Sequence, residues 1–118
     1  MSFLLRRIKS IYYAFHGFVI LIRKEASIQV QFTIAIFVTF TGFYFDISNT
    51  EWALQLIAIG LVMSLEGLNT AIEKLSDFVH PEHNSKIGIL KDISAGAVFI
   101  AALIAVIVGL IIYIPKLS

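Results

Sequence analysis

The chain has 118 residues, of which 58% are hydrophobic and 14% charged, and its formal net charge is +1. A soluble domain is roughly 45–50% apolar and about 25% charged, so this composition excludes soluble globular and intrinsically disordered proteins. The absence of cysteine excludes disulfides, thiolate catalysis and thiolate-bound metals. The small net charge gives no basic field of the size that nucleic acid needs. We therefore expect an all-α integral membrane protein with a single domain over residues 1–118.

The N-terminal stretch, residues 3–24, is predicted to form an amphipathic helix on the membrane surface. Arg6, Arg7 and Lys9 precede an apolar run in this stretch. A basic amphipathic helix of this kind lies in the plane of the lipid headgroups. A secretory signal peptide is the alternative, but no small-residue cleavage site follows the apolar run, and the charged residues 23–25 interrupt it.

Three apolar stretches are predicted to span the membrane. Residues 26–45 and 95–114 each give 20 residues without a charge, or about 30 Å of helix, which matches the hydrocarbon core. The uncharged run at 52–65 is too short to cross alone. Because its apolar pattern continues further, we predict one long helix that carries Glu66 into the edge of the bilayer. The predicted spans are 26–45, 52–78 and 91–114.

Lysine and arginine are distributed unevenly between the two sides of this three-span arrangement. Eight of the nine lie on the side shared by the N-terminal stretch and the loop at 79–88, and only Lys116 lies on the other. The positive-inside rule therefore places the N-terminus and that loop in the cytoplasm and the C-terminus outside.

One face of the second predicted span carries polar residues at helical spacing: Glu66, Asn69, Glu73 and Asp77. An ionisable residue inside a span is a functional candidate by default. A solvated face at the helix end is the alternative, and it suits Asp77 better than Glu66 or Asn69, whose neighbours are small or apolar. A partly desolvated carboxylate at Glu66 suits a general base.

Charged residues from three helices are predicted to meet at the cytoplasmic interface. Glu25 opens the first span, Glu73 closes the second, and Lys91 and Asp92 open the third. Carboxylates at this level suit Mg²⁺, which binds through one or two carboxylates plus substrate phosphates. A general base that lies deeper in the membrane than the metal and phosphates predicts phosphoryl transfer to a chemical group of a lipid. A small oligomeric ion or proton channel, with Glu66 lining the pore, is the alternative from another class.

Small residues in the spans predict close helix packing and an oligomer. Gly67 and Ala71 are four residues apart in the second span, and such spacing lets helices approach closely in lipid. Because three spans of one chain can hardly enclose a polar site, we infer sites between subunits. Gln29 and Gln31 would need partners inside such a bundle, and the alternative is that their side chains extend to the membrane interface. The third span carries a longer ladder of this kind, which we expect at a subunit interface: Ala97, Ala101, Ala105 and Gly109.

The segment from Glu66 to Glu73, EGLNTAIE, followed by Asp77 and by KDISAGAV from Lys91 to Val98, resembles the signature of the prokaryotic diacylglycerol kinase family. That signature reads E-x-x-N-[ST]-A-I-E, then Asp, then K-D-x-[AG]-[AS]-[AG]-A-V. The number of spans, the size and the N-terminal helix also match, so the resemblance covers essentially the whole chain.

This resemblance implies a homotrimer in the bacterial inner membrane with composite active sites at the subunit interfaces. The implied reaction is ATP-dependent phosphorylation of a lipid primary hydroxyl, with Mg²⁺ as cofactor. Diacylglycerol, which would give phosphatidic acid, is the first expected substrate. Undecaprenol is the alternative within the family, and Thr70 leans slightly towards it.

The resemblance also implies roles for individual residues. Glu66 looks like the general base, and Asn69 looks like the partner that positions the reacting groups. Glu25 and Glu73 look like the metal-binding carboxylates, which also contact ATP. The other expected ATP contacts are Tyr13, Glu82, His83, Asn84, Lys91 and Asp92, and the expected lipid contacts are Arg6 and Glu66.

Two positions depart from the family pattern. Members often carry a histidine where Asn84 aligns, whereas His83 comes one place early here. Gln31 stands where some members have glutamate, which removes one possible charge from the site.

Overall fold

The computed structural model describes residues 2–82 and 84–118, and it is helical without a strand in that part of the chain. Three of its helices are long and apolar enough to cross a membrane, which confirms the prediction of an all-α protein with three membrane-length helices. The elements in chain order are α1 (Phe3–Lys24), α2 (Ala26–Tyr44), α3 (Asn49–Val79) and α4 (Ser85–Leu117).

The corner between α1 and α2 is a single extended residue, Glu25. The side-chain amide of Gln29 donates to the backbone carbonyls of Ile22 at 3.1 Å and Arg23 at 3.0 Å. Carbonyls in the last turn of a helix otherwise lack a partner within it. Gln29 therefore finds its expected partners inside the chain, where it fixes the end of α1 against the start of α2.

The turn between α2 and α3 is closed by a capping box. The backbone N–H of Glu51 donates to Ser48 Oγ at 3.1 Å, and the backbone N–H of Ser48 donates to Glu51 Oε1 at 2.9 Å. This reciprocal pair satisfies two amides at the helix start. As a result, α3 begins at Asn49 rather than at Trp52, the predicted start.

Gly42 allows the Trp52 ring to lie directly against α2. A Cβ atom at position 42 would stand 2.6 Å from Cη2 and 2.8 Å from Cζ2 of Trp52, distances that a side chain does not tolerate. The Trp52 ring also packs against Phe43, with the ring centroids 4.9 Å apart. This contact joins α2 to α3 at the end of the bundle that contains their turn, which we call the turn end.

The other end, which we call the site end, contains the α1–α2 corner and the loop between α3 and α4. Asn84 caps α4 there, because its Oδ1 accepts from the backbone N–H groups of Lys86 at 2.9 Å and Ile87 at 3.3 Å. Helix α4 therefore starts at Ser85, and the loop predicted over 79–88 is shorter than expected, since Ser85 and Gly88 are helical.

Helix α4 packs mainly against α3, which in turn contacts α2. Ala101 is buried within the chain, whereas Ala97 on the same ladder is exposed. Gly67 faces α1, and a Cβ there would stand 3.1 Å from Leu21 Cδ1. The small residues at 67 and 101 thus serve packing inside one chain, and the expectation that the ladder lies at a subunit interface stays a prediction.

Candidate functional site

Glu66 lies in the second membrane-length helix and faces α2. The side-chain amide of Gln31 on α2 donates to Glu66 Oε2 over 3.5 Å, a long hydrogen bond. Glu66 is partly buried, as is Gln31. The structure therefore brings an acidic side chain and an amide together between two membrane-length helices, and the partner that Gln31 was expected to need is Glu66 of the same chain.

Asn69 and Glu73 form the next layer of the site towards the loop. Asn69 Nδ2 donates to Glu73 Oε1 at 3.1 Å, one turn further along α3. Asn69 itself is only 7% exposed, and its Oδ1 is buried without a donor from the residues that the structure describes. Glu73 is exposed. Helical spacing sets Glu66, Asn69 and Glu73 along one side of α3, as the sequence pattern predicts.

Glu25 reaches the same end of the bundle from the α1–α2 corner. Its carboxylate pairs with Lys74 of α3 at 3.2 Å, and its side chain is 21% exposed against 68% for Lys74. The exposure of Lys74 lets solvent screen this pair, which limits its contribution to stability to about 1 kcal/mol. Lys74 is therefore a partner that Glu25 can leave at small cost when it binds something else.

The carboxylates at the site end form an open donor set. Within residues 2–82 and 84–118, no three His, Asp or Glu side chains lie close enough together to hold a metal ion by themselves. Mg²⁺ does not need such a cage, because it usually keeps waters and binds through one or two carboxylates plus substrate phosphates. The unpartnered Oδ1 of Asn69 is a further hard oxygen beside Glu73. Glu25, Glu73 and Asn69 therefore offer the chemistry that Mg²⁺ prefers.

Lys91 at the start of α4 forms an ion pair with Asp77 of α3. The next residue, Asp92, is exposed. Asp77 therefore has a structural partner, in keeping with the alternative that it belongs to a solvated helix face. The pair also holds the ammonium group of Lys91 at the site end.

Two other expected ligand contacts, Tyr13 and Arg6, lie on α1. Tyr13 is 66% exposed and packs edge-on against Tyr12. Arg6 is exposed near the start of α1 and lines a shallow surface pocket with its neighbours. In the described part of the chain, no hydrogen bond or ion pair links Arg6 or Tyr13 to Glu66 or Glu73.

The loop between α3 and α4 holds the other expected nucleotide contacts. The backbone carbonyl of Glu82 lies 2.8 Å from Nδ1 of His80, which stabilises the turn after α3. The Oδ1 atom of Asn84 is used to cap α4, so its Nδ2 is the side-chain group left to contact a ligand. His83 lies outside the described residues.

An apolar groove of about 590 Å³ runs along α2, α3 and α4. Gln31 lines it at the site end, and Gln55 and Tyr113 line it towards the turn end. Tyr113 donates its hydroxyl to Gln55 Oε1 at 2.6 Å, while Gln55 Nε2 donates to the carbonyl of Val38 at 3.5 Å. Sequence reasoning did not single out this buried polar cluster, although a glutamine within an apolar span was its signal.

Comparison with known proteins gives one family and several relatives. The family described as Prokaryotic diacylglycerol kinase matches residues 12–113. An undecaprenol kinase of Bacillus subtilis is 39% identical over 112 residues, which cover 95% of this chain and 91% of that protein.

Two diacylglycerol kinases are also similar to this chain. The one from Synechocystis sp. is 40% identical over 87 residues, which cover 67% of this chain and 50% of that protein. The one from Escherichia coli is 29% identical over 102 residues, which cover 86% of this chain and 84% of that protein.

Proposed function

The chain belongs to the prokaryotic diacylglycerol kinase family, and on this premise we propose that it transfers the γ-phosphoryl group of ATP to the primary hydroxyl of a membrane lipid. The observation that carries the proposal is that two groups of polar side chains lie one after the other along α3. Glu66 is partly buried in a membrane-length helix, and the Asn69–Glu73 pair lies one turn further towards the loop. Membership in a family of lipid kinases replaces the interpretation of Glu66 as part of a channel.

Glu66 would act as the general base in this reaction. It takes the proton as the lipid O–H bond breaks, the lipid oxygen bonds to the γ-phosphorus, and the bond from that phosphorus to ADP breaks. A carboxylate in a membrane span reaches a hydroxyl held near the headgroups without drawing the lipid into water. Burial within the protein also excludes water, which would otherwise compete as an acceptor.

Glu25, Glu73 and Asn69 would hold Mg²⁺ together with the phosphates of ATP. When bound there, Mg²⁺ neutralises charge that develops on the phosphoryl oxygens. The amide of Asn69 keeps one Glu73 oxygen in place, and its own buried Oδ1, which accepts no hydrogen bond from the described residues, would have to become accessible on binding to contribute. Glu25 would have to leave Lys74, whose end of the pair is exposed, to bind the metal.

Nucleotide binding would use groups around the loop and α1. Lys91 carries the positive charge for the phosphates, and Asp92 follows it on α4. Because Lys91 is paired with Asp77 in the free chain, ATP competes with Asp77 for its ammonium group. The other proposed contacts are Tyr13, Glu82, His83 and Asn84 for the nucleotide and Arg6 for the lipid headgroup.

We propose that the enzyme is a homotrimer in the bacterial inner membrane, with composite sites and with the site end in the cytoplasm. The composition of the site end supports this, since within the described residues of one chain no three His, Asp or Glu side chains gather closely enough to hold a metal ion, and a second chain could supply further groups. The N-terminal helix α1 would lie on the cytoplasmic surface, where its Arg6, Arg7 and Lys9 meet anionic headgroups.

Diacylglycerol and undecaprenol are the two candidate acceptors. Diacylglycerol follows from the description of the family and from two of the relatives. Undecaprenol is favoured by the relative in Bacillus subtilis, whose similarity extends over 95% of this chain. Both lipids present a primary hydroxyl above a long apolar body, so the same two layers on α3 serve either one.

A turnover assay with both acceptors tests this proposal. The purified protein in mixed micelles receives Mg²⁺, radiolabelled ATP and either diacylglycerol or undecaprenol at equal mole fraction. We expect label in a phospholipid product with at least one acceptor, and the larger kcat/KM identifies the substrate. Label in neither lipid, with ATP intact, would contradict the proposed activity.

A further inference from the structure

Gln31 is hydrogen-bonded to Glu66, and none of the residue roles proposed above involves this contact. Its Nε2 atom is 3.5 Å from Glu66 Oε2, and within the described residues no other side chain is hydrogen-bonded to the Glu66 carboxylate. The Oε1 atom of Gln31 is buried and accepts no hydrogen bond from the described part of the chain. The side-chain amide of Gln31 thus donates to the expected base through Nε2, and its Oε1 is left to accept a second hydrogen bond.

The surroundings of Gln31 explain why this amide matters. The groove along α2, α3 and α4 is overwhelmingly apolar, and Gln31 is its polar residue at the site end. At the turn end, Gln55 and Tyr113 satisfy each other. Gln31 lines this groove and is also hydrogen-bonded to Glu66, so among the described side chains it is the one that orients the carboxylate.

We propose that Gln31 is a positioning residue for Glu66 in the lipid phosphorylation reaction, so this inference rests on the proposed function. While Glu66 is ionised, Gln31 Nε2 donates to it. After Glu66 has taken the proton from the lipid hydroxyl, the amide turns over, and Oε1 accepts from the protonated acid. A glutamine can therefore hydrogen-bond to Glu66 in both its ionised and its protonated form, whereas an apolar residue of equal length can do neither.

The length of the contact is consistent with this role. Hydrogen bonds between catalytic groups are often long before substrate binds and shorten in the reactive complex. The acceptor hydroxyl would enter from the groove beside Gln31, so its arrival excludes water and strengthens the amide–carboxylate bond.

The test compares kinetics of Gln31→Met, which removes both hydrogen-bonding atoms and keeps the side-chain length. We expect kcat to fall by about 10- to 100-fold, as for the loss of a hydrogen bond to a charged group. The KM for Mg·ATP should stay within about twofold, because Gln31 does not contact the Asn69–Glu73 layer. Thr33→Val on the same helix is the matched control, since Thr33 bonds only to a carbonyl of its own helix, and its kinetics should match the parent.

A double-mutant cycle then separates positioning from a structural effect. If Gln31 acts through Glu66, Gln31→Met added to Glu66→Gln should cause no further loss beyond about twofold, since coupled residues are not additive. An equal loss from Gln31→Met in both backgrounds would overturn the proposal, and so would full activity of the single variant. Absence of lipid phosphorylation by the parent protein would overturn the proposed function itself, which is a distinct result.

Discussion

Asn69 donates its amide to the carboxylate of Glu73 at 3.1 Å, while no donor among the described residues reaches its own buried oxygen. Buried side-chain oxygens usually have a partner, so a ligand of this oxygen is expected. Both Oδ1 and the Glu73 carboxylate are hard oxygen ligands. Their pairing on α3 is the structural basis for separating a metal layer from the base at Glu66.

The first prediction is that Glu73→Gln weakens the response to Mg·ATP. The variant keeps the side-chain shape but loses a negative charge that Mg²⁺ needs, so the half-saturating Mg·ATP concentration should rise about tenfold or more, with lower turnover. The measurement is initial rate against Mg·ATP at saturating lipid.

Glu51→Gln is the matched control for that substitution. Glu51 lies at the opposite end of α3, where it pairs with Lys116 at 3.1 Å, and glutamine also supports a capping box. Its Mg·ATP curve should overlay the parent curve. If Glu73→Gln also left the curve unchanged, Glu73 would have no place in the metal layer.

The second prediction concerns stability at the turn end. Gly42→Ala places a methyl group where Trp52 Cη2 already stands, so the ring must move away from α2 and Phe43. Overpacking of this kind costs about 1–3 kcal/mol. Gly60→Ala on α3 meets nothing within 4 Å and should be neutral or stabilising by about 0.5–1 kcal/mol. Unfolding in mixed micelles measures both, and equal effects would refute the packing role of Gly42.

The third prediction concerns topology. A reporter fused after Ser118 should read outside the cytoplasm, and one inserted before Asn84 should read cytoplasmic, because eight of nine Lys and Arg lie on that side. Two reporters on the same side would be incompatible with three spans.

The number of membrane-length helices and the spacing along α3 could be predicted from sequence, because hydropathy and the helical repeat are local properties. Glu66, Asn69 and Glu73 share a side of α3 for this reason alone. The helix starts were less accurate. At Asn49 and Ser85 the boundary depends on capping side chains, Ser48 and Asn84, rather than on hydropathy.

Contacts between helices could not be predicted in the same way. The sequence indicated that Gln31 needs a polar partner but not that the partner is Glu66, since the two belong to different helices. For the same reason the small-residue pattern did not reveal that Ala101 is buried within one chain. Lys91 was likewise predicted to contact the nucleotide. Its ion pair with Asp77 joins α4 to α3, so the sequence alone did not indicate it.

The most direct measurement of the central claim compares label transfer from γ-labelled ATP to lipid by the parent protein and by Glu66→Gln, with Mg·ATP binding measured on the same samples. Removal of a general base lowers the rate by about 10²–10⁴-fold, so we expect kcat to fall by that factor while the affinity for Mg·ATP stays within about twofold. A Glu66→Gln variant that keeps more than about a tenth of parent turnover, or one that no longer binds Mg·ATP, would contradict the assignment of Glu66 as the base of a lipid kinase.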